Sequence, residues 1–301
     1  MLPLALAVLA LAAPKPGTHA TVDVAVATLW KAPAVARTLD RPSLGNPVDL
    51  DAWNRNLAAT ADRIWLDDHV QTQALYGQDV TVLAVRGGWA KVAVTDEPDP
   101  QDPRGYPGWL PLTQLATGFD GSGRALVVTA KTATLRVAGR VLRLSYGTRL
   151  PLVRRLPGGA ALVRTPDGEG RLAGSATTRP TPPTGAAVVA SARRFLGLRY
   201  LWGGLSAWGF DCSGLVWDVF RAHGVTVPRD ADPQFRHGLA VRPSGLRPGD
   251  LLFYGTQSYV HHVAIYAGGG KMIESPDSAH AVRLVPVRWG EFAGARRYTR
   301  G

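Results

Sequence analysis

The sequence predicts an α+β protein in which two small strand-rich domains precede a domain of helices and antiparallel strands. Three observations lead to this fold class. Short apolar segments separated by glycine turns occupy residues 21–118 and again residues 122–177. A proline-containing stretch at residues 178–185 then predicts a stiff linker. Beyond it, at residues 186–301, helical spacing is followed by strands, which is an α+β order.

Composition limits the classes of function. With 46% hydrophobic and 19% charged residues among 301, the chain is globular, and its length suggests several domains. A net charge of +11 favours acidic partners such as nucleic acid, an anionic membrane surface or cell-wall polymers. The basic residues form no run, and no zinc or aromatic-basic motif accompanies them, so we expect no nucleic-acid partner, no metal and no cofactor.

Residues 1–20 resemble a leader segment. The run at residues 2–13 is apolar, ends in small residues and is too short to span a bilayer. It is similar to the apolar core and cleavage region of a secretory signal, although no basic residue precedes Lys15. An ordinary apolar terminus is the alternative. We predict export to the periplasm, cell wall or extracellular space, without a stable membrane anchor.

The first strand-rich domain has the pattern of a small SH3-like barrel. An alternating strand is predicted at residues 20–29, a helical insertion at 49–64, and strands around a Gly-Gly-Trp turn at 87–89. A closing Gly-Trp-Leu follows at residues 108–110, after a loop rich in Asp and Pro. Trp89 and Trp109 are expected in the barrel core.

A second, more divergent SH3-like barrel is predicted from residues 122–177. The short apolar segments that define it are separated by glycine-containing turns, and they lie at residues 127–128, 133–137, 150–153 and 160–163.

The C-terminal domain begins with a predicted helix over residues 186–196, with Val189, Ala192 and Leu196 on one face. A second helix follows the motif at residues 210–215, and Gly224 ends it. Strands are predicted at residues 249–254 and 262–267, and a glycine turn leads to a returning strand at 271–275.

Cys212 is the single cysteine of the chain, and it lies at the predicted start of the second helix. The helix dipole and free backbone N–H groups favour a thiolate there. A buried structural cysteine is the alternative, and this stretch alone does not decide between them. An unpaired thiol in an oxidising compartment is a liability unless it is used, so export would favour reactivity.

A cysteine nucleophile needs a base and a group that orients the base. His261 and His262 lie on a predicted strand, where neighbours face opposite ways, so only one can reach the thiol. Pairing across the glycine turn places His262 and Glu274 on the same face, directly opposite or diagonal, within roughly 5–8 Å. A surface histidine and an edge carboxylate are the alternatives. Their conjunction with a cysteine at a helix start favours a catalytic triad.

These residues carry a family resemblance. Residues 200–204 (Tyr-Leu-Trp-Gly-Gly), 210–215 (Phe-Asp-Cys-Ser-Gly-Leu), 246–251 (Leu-Arg-Pro-Gly-Asp-Leu) and 262–266 (His-Val-Ala-Ile-Tyr) resemble the motifs of NlpC-type peptidases. These are papain-like cysteine enzymes of bacterial cell-wall turnover. The N-terminal half is similar to the SH3-like region of one branch, the gamma-D-glutamyl-L-diamino-acid endopeptidases.

The resemblance implies a reaction. Cys212 would attack the carbonyl of a gamma-D-Glu–diamino acid bond in a peptidoglycan stem peptide, and His262 would act as base and then as acid. The third position falls on Glu274, where many members carry His, Asn or Gln. His280 is a less favoured alternative.

The resemblance also implies a substrate pocket. Asp230 follows Pro-Arg, where a branch member binds the free amine of a terminal L-Ala, although a turn or N-cap aspartate is the alternative. Tyr106 would close the pocket, and Gln78 stands where the branch often has an acid, which weakens the first domain's expected part in amine recognition. The expected substrate-binding residues are Tyr106, Tyr200, Trp202, Asp211, Ser213, Arg229, Asp230 and His261.

Three alternatives remain open at this stage. The enzyme would act on intact peptidoglycan with its SH3-like domains as wall anchors, or the chain would be an inactive wall-binding protein. The third alternative is a transferase, in which the acyl-enzyme passes its acyl group to an amine rather than to water.

Overall fold

The computed structural model describes residues 14–173, 177–178 and 183–299. Most of the predicted leader and the middle of the predicted linker therefore lie outside the described residues. Within the described part, no helix is long and apolar enough to cross a membrane.

The first sheet forms from residues 19–116, with a helical insertion after its second strand. In the described chain it has seven strands, in the order β3-β2-β6-β5-β4-β1-β7. These strands are β1 (His19–Val22), β2 (Val26–Trp30), β3 (Val70–Leu75), β4 (Asp79–Arg86), β5 (Trp89–Val94), β6 (Tyr106–Pro111) and β7 (Leu115–Ala116). The insertion holds α1 (Leu50–Asn56) and α2 (Thr60–Ile64).

One element differs from its prediction. The alternation over residues 20–29 predicts a single strand, but the chain leaves β1 after Val22 and enters β2 at Val26. β1 pairs with β4, whereas β2 pairs with β3, so the two halves of the run lie in different parts of the sheet. Val22, Val24 and Val26 are all buried, which is why the apolar periodicity continues across the break.

The second sheet also has seven strands among the described residues, in the order β10-β9-β13-β12-β11-β8-β14. They are β8 (Ala125–Val128), β9 (Thr132–Val137), β10 (Arg140–Ser145), β11 (Arg149–Arg155), β12 (Ala161–Thr165), β13 (Gly168–Leu172) and β14 (Thr177–Thr178). Its own apolar core is centred on Leu126, Leu135, Leu144 and Val163.

The C-terminal domain packs three helices against an antiparallel sheet whose strands differ in length. The helices are α3 (Gly185–Arg193), α4 (Cys212–Ala222) and α5 (Ala231–Arg236). A short hairpin, β15 (Leu205–Ser206) and β16 (Gly209–Phe210), leads into α4. The described sheet has the order β17-β22-β18-β19-β20-β21. Its strands are β17 (Leu239–Val241), β18 (Leu251–Gly255), β19 (Val260–Gly268), β20 (Lys271–Glu274), β21 (Arg283–Pro286) and β22 (Phe292–Arg297).

The first helix of this domain is shorter than predicted. α3 ends at Arg193, so Leu196 lies beyond it and is 38% exposed instead of sharing the face of Val189 and Ala192. Phe195 is the buried residue of this turn, and it packs edge-on against Phe210 and Tyr146.

Helix α4 lies at the centre of the molecule. Apart from Cys212, which is partly exposed, every residue of the helix is buried. Leu215, Val216 and Phe220 belong to a core that also includes Trp53 of the first sheet region and Val127 of the second. Because the other domains cover the outer face of α4, the thiol is carried on a rigid element.

Candidate active site

The loop before α4 holds Cys212 at the first position of the helix. The side chain of Asp211 caps the helix by accepting the N–H of Gly214 at 2.6 Å. Gly214 lies so close to the preceding hairpin that a Cβ would stand 2.1 Å from the carbonyl oxygen of Gly204. The Asp-Cys-Ser-Gly motif is therefore explained locally by a cap and by a backbone contact.

The environment of the thiol keeps it protonated. Burial, and then the charge of Asp211, raise the pKa of Cys212 to about 12. The N–H groups of Val263 and Ser213 and the charge of Arg229 act in the opposite direction but do not outweigh them. A helix N-terminus favours a thiolate, but here its effect is smaller than the cost of burial, so the nucleophile needs a base.

His262 on β19 lines the same cavity as this thiol. Val263, the next residue of β19, donates its N–H to the sulfur. His262 is buried, and its Nε2 lies 2.8 Å from Oε2 of Glu274. A carboxylate at Nε2 favours the tautomer with its proton there, which leaves Nδ1 free to accept the thiol proton.

Strand pairing explains why His262 and Glu274 meet. Ile265 pairs with Ile273, so Glu274 is one pair further along, opposite Ala264 and diagonal to His262. The turn itself has a bulge between Tyr266 and Gly268, and the register beyond it matches the predicted parity. Both side chains therefore lie on the same face, as the sequence predicts.

Glu274 is fully buried, yet it is ionised. Burial acts to raise its pKa, but hydrogen bonds from His262, Arg288 and Arg283 hold the pKa well below its usual range. Oε1 accepts from Nε of Arg283 at 2.9 Å and from Nη1 of Arg288 at 2.8 Å. One oxygen of the carboxylate thus orients the imidazole, and the other is held by two guanidinium groups.

The two other histidine candidates lie elsewhere. His261 is exposed on the opposite face of β19 and lines the rim of the cavity. His280 pairs through Nδ1 with Asp277 at 2.7 Å and does not replace Glu274 as the partner of His262.

A cavity of about 740 Å³ opens above the thiol and has walls from the first sheet domain and the C-terminal domain. Tyr106 of β6 donates its hydroxyl to Oδ2 of Asp230 at 2.9 Å, 124 residues away in sequence. Asp230 stands at the N-cap position of α5, but it makes no capping hydrogen bond there. Its side chain is 40% exposed and faces the cavity, and partial burial raises its pKa to about 6. Of the two interpretations of Asp230, the geometry favours a cavity residue over a cap.

Arg229 lies behind the cavity wall instead of in it. Its side chain is fully buried, and it donates to both oxygens of Asp211 and to Oγ of Ser213 at 2.8–3.0 Å. It also donates to Thr72 of the first domain at 2.9 Å, next to the buried Glu97. Asp211 and Ser213 line the cavity, but their polar atoms are already engaged. Arg229 thus ties the cysteine loop to the first domain.

Tyr200 and Trp202 line the same cavity. Burial raises the pKa of Tyr200 well above its usual value, with the nearby Cys212 contributing, so its hydroxyl remains a donor beside the thiol. Trp202 is 37% exposed at the rim, and its indole N–H donates to the carbonyl of Val70.

Gln78 is not part of this site. Its side-chain N–H donates to Asp96, and its side-chain oxygen accepts the N–H of Leu75. The residue borders a second, smaller cavity between the domains. Its identity therefore bears little on amine recognition, and the first domain reaches the active-site cavity through Gln71, Asp99 and Tyr106 instead.

Three residues beside His262 were missed by the sequence reasoning. Tyr254 pairs directly with His262 across β18 and β19, and its ring lies 5.7 Å from the imidazole. The register between β18 and β19 would have located Tyr254. Arg283 and Arg288 reach Glu274 from β21 and the loop after it, and local spacing gives no signal for that contact.

Comparison with known proteins identifies the family of the chain. The sequence profile of the NlpC/P60 family matches residues 197–294, and that of the bacterial dipeptidyl-peptidase SH3 domain matches residues 66–115. A Bacillus cereus protein named gamma-D-glutamyl-L-lysine dipeptidyl-peptidase is 39% identical over 94% of this chain and 92% of its own length. A Bacillus subtilis protein of the same name is 36% identical over 89% of this chain and 93% of its own length.

A solved structure gives the same result for the fold. The crystal structure of an NlpC/P60 family protein from Bacillus cereus superposes with a TM-score of 0.89 at 38% identity. The match covers 94% of this chain and all of that one. The predicted fold class, an NlpC-type domain preceded by a strand-rich SH3-like region, is confirmed.

Proposed function

The chain belongs to the NlpC/P60 family and is a cysteine peptidase, and we propose that it cleaves the gamma-D-glutamyl–L-diamino acid bond of stem peptides with a free N-terminal L-Ala. The observation that carries the proposal is one cavity lined by Cys212, His262 and Asp230. The curated relatives named for gamma-D-glutamyl-L-lysine cleavage support the same bond.

The proposed mechanism begins with proton transfer. His262 Nδ1 takes the proton of the Cys212 thiol as the sulfur attacks the gamma-carbonyl carbon, because the raised pKa of the thiol leaves little thiolate at rest. Glu274 stabilises the resulting imidazolium through Nε2. The Tyr200 hydroxyl, a donor beside the sulfur, is the proposed ligand of the developing oxyanion.

The second half of the reaction uses the same groups. His262 returns its proton to the leaving amine of the diamino acid, and a water molecule then attacks the thioester with His262 again acting as base. Hydrolysis releases L-Ala-gamma-D-Glu and frees the thiol.

Substrate choice is proposed to come from Asp230. An ionised carboxylate held by Tyr106 at the end of the cavity suits an ammonium group. An amide-linked L-Ala, as in polymeric peptidoglycan, has no such charge and carries a bulky glycan that meets the first domain's wall.

The apolar run at residues 2–13 supports a further proposal, that the enzyme is exported and acts on peptidoglycan-derived peptides at the cell wall or outside the cell.

The direct test uses the tripeptide L-Ala-gamma-D-Glu-diaminopimelate and mass spectrometry of the products. The full chain should release L-Ala-gamma-D-Glu, and Cys212→Ala should release none. Cleavage that survives Cys212→Ala would refute the mechanism. Equal release from intact sacculi would refute free-amine selection and favour the wall-anchored alternative.

A further inference from the structure

Arg283 and Arg288, the arginine pair that contacts Glu274, have hydrogen-bond donors that are not needed to position this carboxylate. Arg283 contacts Glu274 through its Nε and Nη2 groups, and Arg288 does so through Nη1. A guanidinium carries five N–H donors, so each arginine keeps donors that Glu274 does not take. Both side chains line the active-site cavity, and they are 38% and 42% exposed.

The charged groups at this wall include both cations and anions. The two guanidinium groups share one buried carboxylate, Glu274, and each keeps N–H donors that face the cavity. Arg288 lies 4.7 Å over the ring of Tyr254, which fixes its plane beside the cavity. Exposed Asp277 and Glu291 line the cavity near Arg283 and Arg288 respectively. This wall therefore offers donors for a carboxylate and, at its edge, acceptors for an ammonium.

The chemistry of the reaction says which part of the substrate reaches this wall. His262 must protonate the leaving amine, so the leaving diamino acid lies on the imidazole side of the thiol. Tyr254 is 5.7 Å from His262, and Arg288 lies on that tyrosine. Asp230, the proposed amine anchor, has Tyr106 and Arg229 as partners and shares none with the arginine pair.

We infer that Arg283 and Arg288 bind the distal carboxylate of the leaving residue, so the site selects a diamino acid that carries a carboxylate at its far end, as diaminopimelate does, over lysine. This inference rests on the proposed function, because it assigns the leaving-group side of the same cleavage. A distal amino-acid group carries both a carboxylate and an ammonium, and this wall offers partners to both. Lysine carries the ammonium alone and leaves the arginine donors unmatched.

The experiment compares kcat/KM for three tripeptides that share L-Ala-gamma-D-Glu. They end in meso-diaminopimelate, in diaminopimelate amidated at its distal carboxyl, or in L-lysine. The full chain should favour the free distal acid over the other two by at least about tenfold. Arg288→Gln should lower kcat/KM for the free acid by roughly 10- to 100-fold and for the other two by much less, so that the preference is lost.

Two further variants control the experiment. Arg288→Lys keeps the positive charge and should retain part of the preference, which a folding defect would not produce. Arg242→Gln removes the same charge from an exposed loop outside the cavity and should leave the preference unchanged.

Each other outcome overturns the inference. Equal cleavage of the three peptides by the full chain would refute selection. An equal loss for all three in Arg288→Gln would mean that Arg288 only positions Glu274 or binds a carboxylate that all three share. Cleavage of none would refute the proposed function, and the inference would fall with it.

Discussion

At the residue scale, Glu274 is a buried charge that needs hydrogen-bond partners to remain ionised. It is fully buried, and it remains ionised because His262, Arg283 and Arg288 donate to its two oxygens. A carboxylate at this position therefore provides orientation and charge together, whereas an amide would provide orientation alone.

Glu274→Gln tests this role. The amide keeps the shape but loses the charge that stabilises the imidazolium, so kcat/KM for L-Ala-gamma-D-Glu-diaminopimelate should fall roughly 10²- to 10⁴-fold. Glu169→Gln, an exposed site in the second sheet domain, is the matched control and should retain full activity. Undiminished turnover in Glu274→Gln would show that the carboxylate is dispensable.

The proposed role of Asp230 predicts a pH dependence of the reaction. Its pKa is raised to about 6, mainly by burial, so the carboxylate is ionised above pH 6 and becomes protonated as the pH falls below it. An ammonium group is held only by the ionised form. The ratio of kcat/KM between wild type and Asp230→Asn should therefore be roughly 10 to 100 near pH 7 and fall about five- to tenfold by pH 5.

Titration of groups other than Asp230 affects both proteins alike and cancels in that ratio. An N-acetylated substrate, which has no ammonium, should give a ratio near one at every pH. A ratio for the free-amine peptide that does not change between pH 5 and 8 would argue against recognition by Asp230.

At the scale of the element, helix α4 depends on how closely its first turn approaches the preceding hairpin. A Cβ on Gly214 would lie 2.1 Å from the backbone oxygen of Gly204, which cannot move without disturbing β15 and β16. The motif glycine is thus required by packing and not by backbone conformation.

Gly214→Ala should accordingly destabilise the fold by about 1–3 kcal/mol, measured as the free energy of unfolding in urea. Gly245→Ala is the matched control, since a Cβ there meets only Val241 at an ordinary 3.9 Å, and it should change stability little. If the two variants unfold alike, the close approach at Gly214 is not limiting.

At the scale of the whole molecule, α4 is also the point where the second sheet domain docks. Arg221 of the helix donates to the carbonyl of Gly147, and Gly147 packs against Asp218. Both carboxyl oxygens of Asp218 are buried without a hydrogen-bond partner in the described structure. Burial raises the pKa of Asp218 well above its usual value, which favours the protonated carboxyl in the folded protein.

That proton makes stability depend on pH. The unfolded carboxyl has a pKa near 3.8, so between that value and the higher folded pKa the folded state binds more protons, and stability falls as pH rises. Asp218→Asn removes the titrating carboxyl and therefore the pH dependence of stability that it causes. Its unfolding free energy relative to wild type should increase by about 1.4 kcal/mol per pH unit within that range.

Denaturant unfolding of both proteins at pH 5, 6, 7 and 8 measures the effect. The slope of the difference is the readout, because the constant cost of introducing an amide does not alter it. A difference that stays constant across these pH values would mean that Asp218 is ionised in the fold.

The active-site cavity is likewise a property of the whole molecule. Its lining joins Tyr106 of the first domain to Asp230 of the third, and the buried Arg229 links the cysteine loop to Thr72. The predicted SH3-like domain therefore forms part of the site and is more than an appended anchor.

The sequence alone determined those features that follow from local periodicity. A strand repeats every two residues, so counting across one glycine turn was enough to place His262 and Glu274 on the same face. The helix predicted after the motif at residues 210–215 likewise begins at the cysteine. The motifs around these residues carried the family resemblance.

Only the tertiary structure decided what surrounds those residues. Burial in the folded protein raised the pKa of Cys212, although its helix position favours a thiolate. Tyr106 and Asp230 meet across 124 residues, and Arg283 and Arg288 converge on Glu274 from another strand and a loop. Such contacts depend on how distant elements pack, which no local spacing encodes, because periodicity assigns a side chain to a face but not to the neighbour it meets there.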